Sequence, residues 1–169
     1  MKGIIKEYLP YVIAIILIII IKVYVVSPVR VNGHSMDPTL SNNDIMILNK
    51  IAYKFDKIKR FDIVVIKKED GTDIIKRVIG LPGDKVEYKD NKLYINGKYV
   101  KENFLHAETE DLDTEKFDRL TVPKNSYYVL GDNRKNSVDS RYLGFIPKKE
   151  IEGRANYIIY PFKRFGKVK

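Results

Sequence analysis

Three stretches of this chain carry side chains able to do chemistry. The first is Asn32-Gly33-His34-Ser35-Met36-Asp37-Pro38-Thr39-Leu40, which holds one hydroxyl, Ser35, in a segment unsuited to a regular element. Gly33 allows backbone angles that a side chain forbids. Pro38 fixes its own φ and restrains Asp37 to extended conformations. Such a serine is either part of a plain turn or a nucleophile, and a nucleophilic serine needs a base. Neither histidine is an obvious one: His34 is adjacent to Ser35, and neighbours in an extended segment point apart. His106 lies in an acidic stretch and reads as a solvated surface residue. The alternative is a lysine, whose ordinary pKa of about 10.4 must be lowered by burial before it can accept a proton at neutral pH. Lys76 stands apart from the other lysines, because in DIIKRVIG (73–80) its neighbours are isoleucines and a valine that can desolvate it. The alternation in this strand is not clean, so the pattern alone leaves open whether Lys76 faces the core or the solvent. The third stretch, Gly131 to Arg141, is dense in turn formers and hydrogen-bonding groups. Asp139 and Arg141 are spaced for same-side contact in an extended segment, and Ser137 or Ser140 can orient a neighbour. A polar surface loop would have the same composition.

The elements that must position these groups begin with an apolar run. Residues 8–26, YLPYVIAIILIIIIKVYVV, contain one charge, Lys22, near the end. A helix of about 20 residues spans the hydrocarbon core of a bilayer, and within lipid a helix is the single-segment solution for the backbone. The run is longer than the apolar core of a cleaved leader, and Val25-Val26-Ser27-Pro28 offers no good small-x-small site. The expectation is an uncleaved anchor at 8–26, a cytoplasmic tail at 1–7 and an extracytoplasmic domain at 27–169. Lys2 and Lys6 set this orientation by the positive-inside rule.

Beyond Pro28 the signals are those of short strands: DIMILN (44–49), DIVVIK (62–67), DIIKRVI (73–79), KVEYK (85–89), KLYI (92–95), SYYVL (126–130) and ANYIIY (155–160). Asp90-Asn91 and Asn96-Gly97 are hairpin turns by composition. The fold class is therefore mainly β: a transmembrane helix followed by an all-β, barrel- or sandwich-like domain. Residues 101–120 are charged and read as a surface excursion. The net charge is +9, and the chain has no cysteine, which removes thiolate chemistry; with only His34 and His106, a zinc site would need carboxylates as its other ligands, and no HExxH-like spacing occurs. No cofactor and no metal is expected. The basic balance points to an anionic partner, and the tail PFKRFGKVK fits lipid headgroups as well as it fits a solvated terminus. Nucleic acid is not expected for a domain outside the cytoplasm.

Taken together, these segments resemble the bacterial type I signal peptidases, membrane-anchored serine–lysine endopeptidases of preproteins. Gly33 to Leu40 resembles the nucleophile motif, Arg60-Phe61-Asp62-Ile63-Val64-Val65 the structural strand motif, Lys76 to Asp84 the general-base motif, and Gly131 to Arg141 the last motif. The resemblance implies Ser35 as nucleophile, Lys76 as general base and an acyl-enzyme. It also implies that Ser137 orients the lysine, that Asp139 and Arg141 support the site, and that Met36, Leu40 and Ile75 line the substrate pocket. The implied substrates are secretory preproteins with small residues before the cut, bound extended beside a strand. The Ser35 N–H is one implied oxyanion donor. Gly33 stands where some relatives carry a serine, which leaves the second donor to a backbone amide or water. The implied fold is all-β with a short, less regular insertion, here within about residues 84–122, as in the compact Gram-positive enzymes. A Ser/Lys protease with a narrower client set, or a non-enzymatic membrane-tethered β-domain, is the competing reading.

Overall fold

The computed structural model describes residues 2–104, 112–113 and 121–168. Helix α1 (Lys2–Tyr24) contains an 18-residue window, Glu7–Tyr24, of mean hydropathy 2.0 with none of it buried. An apolar helix left unburied by the protein is suited to lipid. It ends two residues short of the expected 8–26, because Val26 already pairs with Asn49 as the first residue of β1 (Val26–Arg30). This edge strand was not expected. Its Pro28 is tolerated because an edge strand has one row of unpaired groups.

The main sheet is built from β1, β2 (Ile45–Asn49), β3 (Ile63–Lys67), β4 (Asp73–Gly80), β9 (Ser126–Leu130), β10 (Ile146–Pro147) and β11 (Ile151–Tyr160), in the order β1-β2-β11-β3-β4-β9-β10, with β12 (Gly166–Lys167) also paired to β11. Every pairing is antiparallel. Shifts of register interrupt β11 against β2 and β3, and β4 against β9. Such bulges increase the local twist and bend the sheet around its core. Between β2 and β3 lies a short helix, α2 (Ala52–Phe55), and after β9 another, α3 (Ser140–Leu143).

Within the span 84–122, expected to be less regular, the described residues form a second antiparallel sheet. It comprises β5 (Val86–Lys89), β6 (Lys92–Ile95), β7 (Lys98–Val100) and β8 (Leu112–Asp113), in the order β7-β6-β5-β8. Its hairpins close at Asp90-Asn91 and Asn96-Gly97, all four with positive φ (49°, 60°, 53° and 76°), as right-twisted two-residue turns require. His106 and most of the excursion at 101–120 lie outside the described residues.

Three apolar clusters support these sheets. One joins Val31, Met36 and Leu40 to Met46, Ile63, Val65 and Ile75, so the Ser35 loop is rooted in the core on its apolar side. A second joins β4 and β9 to the insertion sheet through Ile79, Val86, Tyr88, Tyr128 and Leu130. The third includes Val64, Val78 and Val129. β4 is thus packed by all three clusters, and its burial is continuous from Ile75 to Gly80. This continuity explains the unclean alternation: a strand covered on both faces has no solvent side to mark.

Candidate active site

Three elements converge on one point. β4 carries Lys76, 3% exposed, and its Nζ lies 2.7 Å from Ser35 Oγ. The chain separation is 41 residues, and the sheet closes it. Ser35 sits in a turn with its side chain partly open to solvent. Gly33 takes φ +90°, in the left-handed region that favours glycine, and its N–H donates to Asn42 Oδ1 at 3.0 Å. The Ser35 carbonyl accepts from Asn133 N–H at 3.0 Å, and Asn133 Nδ2 donates to the His34 carbonyl at 3.0 Å. The Ser35 N–H donates to none of the described residues.

The loop that receives Ser35 follows β9. A Cβ at Gly131 would collide with the Ser35 carbonyl and the Ser137 side chain, so only glycine permits this approach. Asp139 is wholly buried. Its carboxylate accepts from Arg141 Nε at 2.8 Å and Nη2 at 2.9 Å, and from Gly131 N–H at 3.0 Å. Asp139 and Arg141 were expected to meet along an extended segment. They meet instead at a helix start, where Asp139 caps α3 by accepting from Arg141 N–H at 3.3 Å. Burial pushes the Asp139 carboxyl up, but the bonds from Arg141 and Gly131 outweigh it and hold the group below the usual carboxylate range. Ser140 Oγ accepts from Val129 N–H at 2.9 Å and so ties this turn to β9.

Burial also governs Lys76. It drives the ammonium from its ordinary 10.5 down to about 8, and Arg141 pushes the same way, while Asp139 and Asp132 pull it back. The lysine forms no ion pair with a described residue. An amine that is half neutral near pH 8, in contact with a hydroxyl, can accept that hydroxyl's proton. The sequence left the facing of Lys76 open, and the packing of β4 decides it.

The other expected residues divide. Met36 and Ile75 line a cleft of about 500 Å³ that also exposes Ser35, Lys76, Val29 and Val138. Leu40 does not line it; it is fully buried in the core behind Met36. Ser137 Oγ is buried and makes no hydrogen bond of ordinary geometry, so the bond to Lys76 that the resemblance implied is not formed. The hydroxyl sits close enough to Asp139 to help keep that carboxylate ionised. His34 faces away, with Nδ1 2.8 Å from Asp37 Oδ2 at the surface.

Sequence reasoning missed the residues that hold this arrangement from behind. Arg77, next to Lys76, forms a two-pronged pair with Asp132 (2.9 and 2.7 Å), donates to the Phe61 carbonyl at 3.0 Å and stacks on Phe104 at 3.8 Å. Arg134 bonds the Gly131 carbonyl at 3.1 Å and pairs with Glu102 at 2.6 Å. A cation inside an apolar strand and an Asp–Arg alternation in a turn were the available signals; neither names its partner.

The cleft lies between β1 and β4. β9 pairs with β4 only from Arg77 onward, so Asp73–Lys76 keep one edge without a strand partner among the described residues, and β1 is the last strand of its sheet. Both edges can accept an extended peptide.

Known proteins share this layout. The family model for signal peptidase, peptidase S26, matches residues 4–160. Signal peptidase I S of Bacillus subtilis (strain 168) is 41% identical over 174 residues, covering 98% of this chain and 94% of that protein. Signal peptidase IB of Staphylococcus aureus (strain Mu50 / ATCC 700699) is 36% identical over 178 residues, covering 95% and 93%. The crystal structure of a signal peptidase I from Enterococcus faecalis V583 matches with a TM-score of 0.55 at 42% identity, over 59% of this chain and 97% of that one.

Proposed function

We infer the mechanism from one premise: this chain belongs to the signal peptidase family, peptidase S26. It is a membrane-anchored serine endopeptidase that removes signal peptides from secretory preproteins, and the chemistry of the family is a Ser/Lys dyad working through an acyl-enzyme. On our reading Ser35 is the nucleophile and Lys76 the general base. The observation that carries this is the 2.7 Å contact between a buried amine held near pKa 8 and a hydroxyl that opens into the cleft.

Neutral Lys76 takes the Ser35 proton as Oγ attacks the scissile carbonyl. The unengaged Ser35 N–H is placed to donate to the oxyanion, whereas the Gly33 N–H is already held by Asn42. The ammonium of Lys76 then protonates the departing amine, which leaves Ser35 acylated. Neutral again, Lys76 removes a proton from water as it attacks the acyl carbon, and its ammonium returns that proton to Ser35 Oγ as the ester bond breaks, which releases the acid and restores both residues. Asp139, Arg141 and Ser137 act through the loop, keeping Gly131 and the Ser35 carbonyl in place. The preprotein lies extended between β1 and β4, and Met36 and Ile75 form an apolar wall suited to small side chains before the cut.

The same reading puts the membrane span at Glu7–Tyr24 of α1 with the N-terminus in the cytoplasm, since Lys2 and Lys6 precede that window, and the domain at 27–169 outside. Exposed Phe162, Phe165 and Lys167 support contact of that domain with anionic lipid. The test of the dyad is preprotein cleavage by purified Ser35→Ala and Lys76→Ala enzymes. Each is expected to fold, by circular dichroism, and to lose cleavage. A folded variant that still cleaves removes its residue from the mechanism.

A further inference from the structure

The C-terminal segment 161–168 reads in sequence as a basic-aromatic tail, yet its arginine is turned inward. Arg164 Nη2 donates to the Thr39 carbonyl at 2.9 Å and the Pro38 carbonyl at 3.4 Å. Its Nη1 donates to Ser41 Oγ and lies 3.2 Å from Asp44 Oδ2. Asp44 is 2% exposed and also accepts from Ser41 N–H at 2.9 Å. One guanidinium therefore joins four groups of the segment that leaves Ser35. The fork suits this task, since the in-plane N–H groups of its two terminal nitrogens meet two carbonyls, a hydroxyl and a carboxylate, which a point ammonium cannot reproduce.

Arg164 is itself firmly held. The turn Phe162–Arg164 closes through Arg164 N–H to the Pro161 carbonyl at 2.8 Å, and β12 pairs with Tyr157 and Ile158. Val168 N–H bonds the Asn156 carbonyl at 2.9 Å, and its side chain packs on the cluster that contains Met36 and Leu40. The Ser35 turn is thus clamped at both ends. Asn133 grips the His34 and Ser35 carbonyls on one side, and Arg164 grips Pro38 to Ser41 on the other. Ser35 belongs to no strand or helix, so these two clamps and the Met36–Leu40 packing decide where its Oγ stands relative to Lys76.

We propose that Arg164 is a positioning residue for the hydrolytic reaction, a C-terminal strap that holds the nucleophile turn in register with Lys76. The inference rests on reading Ser35 as the nucleophile. A displacement of about 1 Å at a reacting atom can cost about 10²-fold in rate, so loosening one clamp acts on turnover more than on substrate binding.

The experiment measures preprotein cleavage by the full-length enzyme in detergent micelles, for the wild type and Arg164→Ala, Arg164→Lys, Lys163→Ala and Ser35→Ala. Arg164→Ala is expected to lower kcat about tenfold or more with KM within about twofold. The pH midpoint is expected to stay put, because the surroundings of Lys76 are untouched. Arg164→Lys recovers less than half of the lost kcat, and Lys163→Ala behaves as wild type. The proposal is overturned if Arg164→Ala keeps kcat within about twofold of wild type, if its loss lies wholly in KM, or if Lys163→Ala falls equally, which would assign the effect to the positive charge of the tail and not to the Arg164 fork. Should Arg164→Ala not fold, Arg164→Lys, which keeps a cation beside Asp44, decides: wild-type kcat overturns the proposal and a reduced kcat supports it. Activity in Ser35→Ala would instead refute the nucleophile assignment, whatever Arg164 does.

Discussion

Lys76 and Arg77 are neighbours in β4, both almost wholly buried at 3% and 2% exposed, and the structure uses them in opposite ways. Lys76 belongs to the half of β4 that opens on a cleft, and among the described residues its outer edge has no strand and its amine touches only a hydroxyl. Arg77 begins the half that β9 covers, and its guanidinium has Asp132, the Phe61 carbonyl and the Phe104 ring as partners. Desolvation penalises both cations. The lysine can answer by releasing its proton, and that release is what the proposed mechanism needs. The arginine cannot, so it must be paired. One strand thus holds a structural cation beside the cation proposed as the base, and among the described residues a carboxylate partner or the lack of one separates the two.

The comparison breaks most sharply if the two cations are made alike. Lys76→Arg retains charge but cannot act as a base at accessible pH, and cleavage of a preprotein is expected to fall about 10³-fold or more. Near wild-type cleavage would show that proton transfer does not run through position 76. Next in size, Arg77→Ala leaves the Asp132 carboxylate buried without its main partner, and denaturant unfolding should register a loss of about 3–5 kcal/mol. An unchanged midpoint would mean that this pair carries no structural load.

Lys76→Met should move stability the other way. The folded pKa of Lys76, about 8, lies below its ordinary 10.5, so the unfolded chain binds more protons between these values and wild-type stability rises with pH through that window. Below pH 8 the buried ammonium costs the wild type about 3 kcal/mol, and the methionine variant is expected to be more stable by up to that amount. The gap should close toward pH 10.5; a gap independent of pH would assign it to packing instead. The smallest effect is on the pH profile of the unaltered enzyme. Cleavage should climb through a midpoint near 8, with about a tenth of the lysines neutral at pH 7. A midpoint near the ordinary lysine value would contradict a desolvated base.

Much of the architecture was legible because it is local. The strands at 45–49, 63–67, 73–80 and 126–130 announced themselves as short apolar runs, and 86–89 and 92–95 by alternation, with hairpin turns whose residues tolerate positive φ. The span of α1 followed from length and composition alone. β7, β8, β10 and β12 were missed because each has two or three residues and is defined by its partner, and β1, as long as β2, because Pro28 interrupts it and Val26 falls within the expected anchor. Two strands of the insertion sheet, β5 and β6, were therefore legible, and β7 and β8 were not.

The chain by itself determined which side chains were available: one serine in a glycine–proline turn, a lysine among isoleucines, and an Asp–Arg pair in a polar loop. The resemblance to a family ordered them. What only the tertiary structure decided is which groups meet and how much water each keeps. Core packing on both faces of β4 takes Lys76 out of water and lowers its ammonium to about 8, as the proposed base requires. The same folding moves Leu40 into the core, leaves Ser137 without a bond to Lys76, and brings Arg164 back across 125 residues to grip Thr39. Desolvation and long-range hydrogen bonds depend on atoms distant in sequence, and residue order along the chain does not contain them until the sheet has closed.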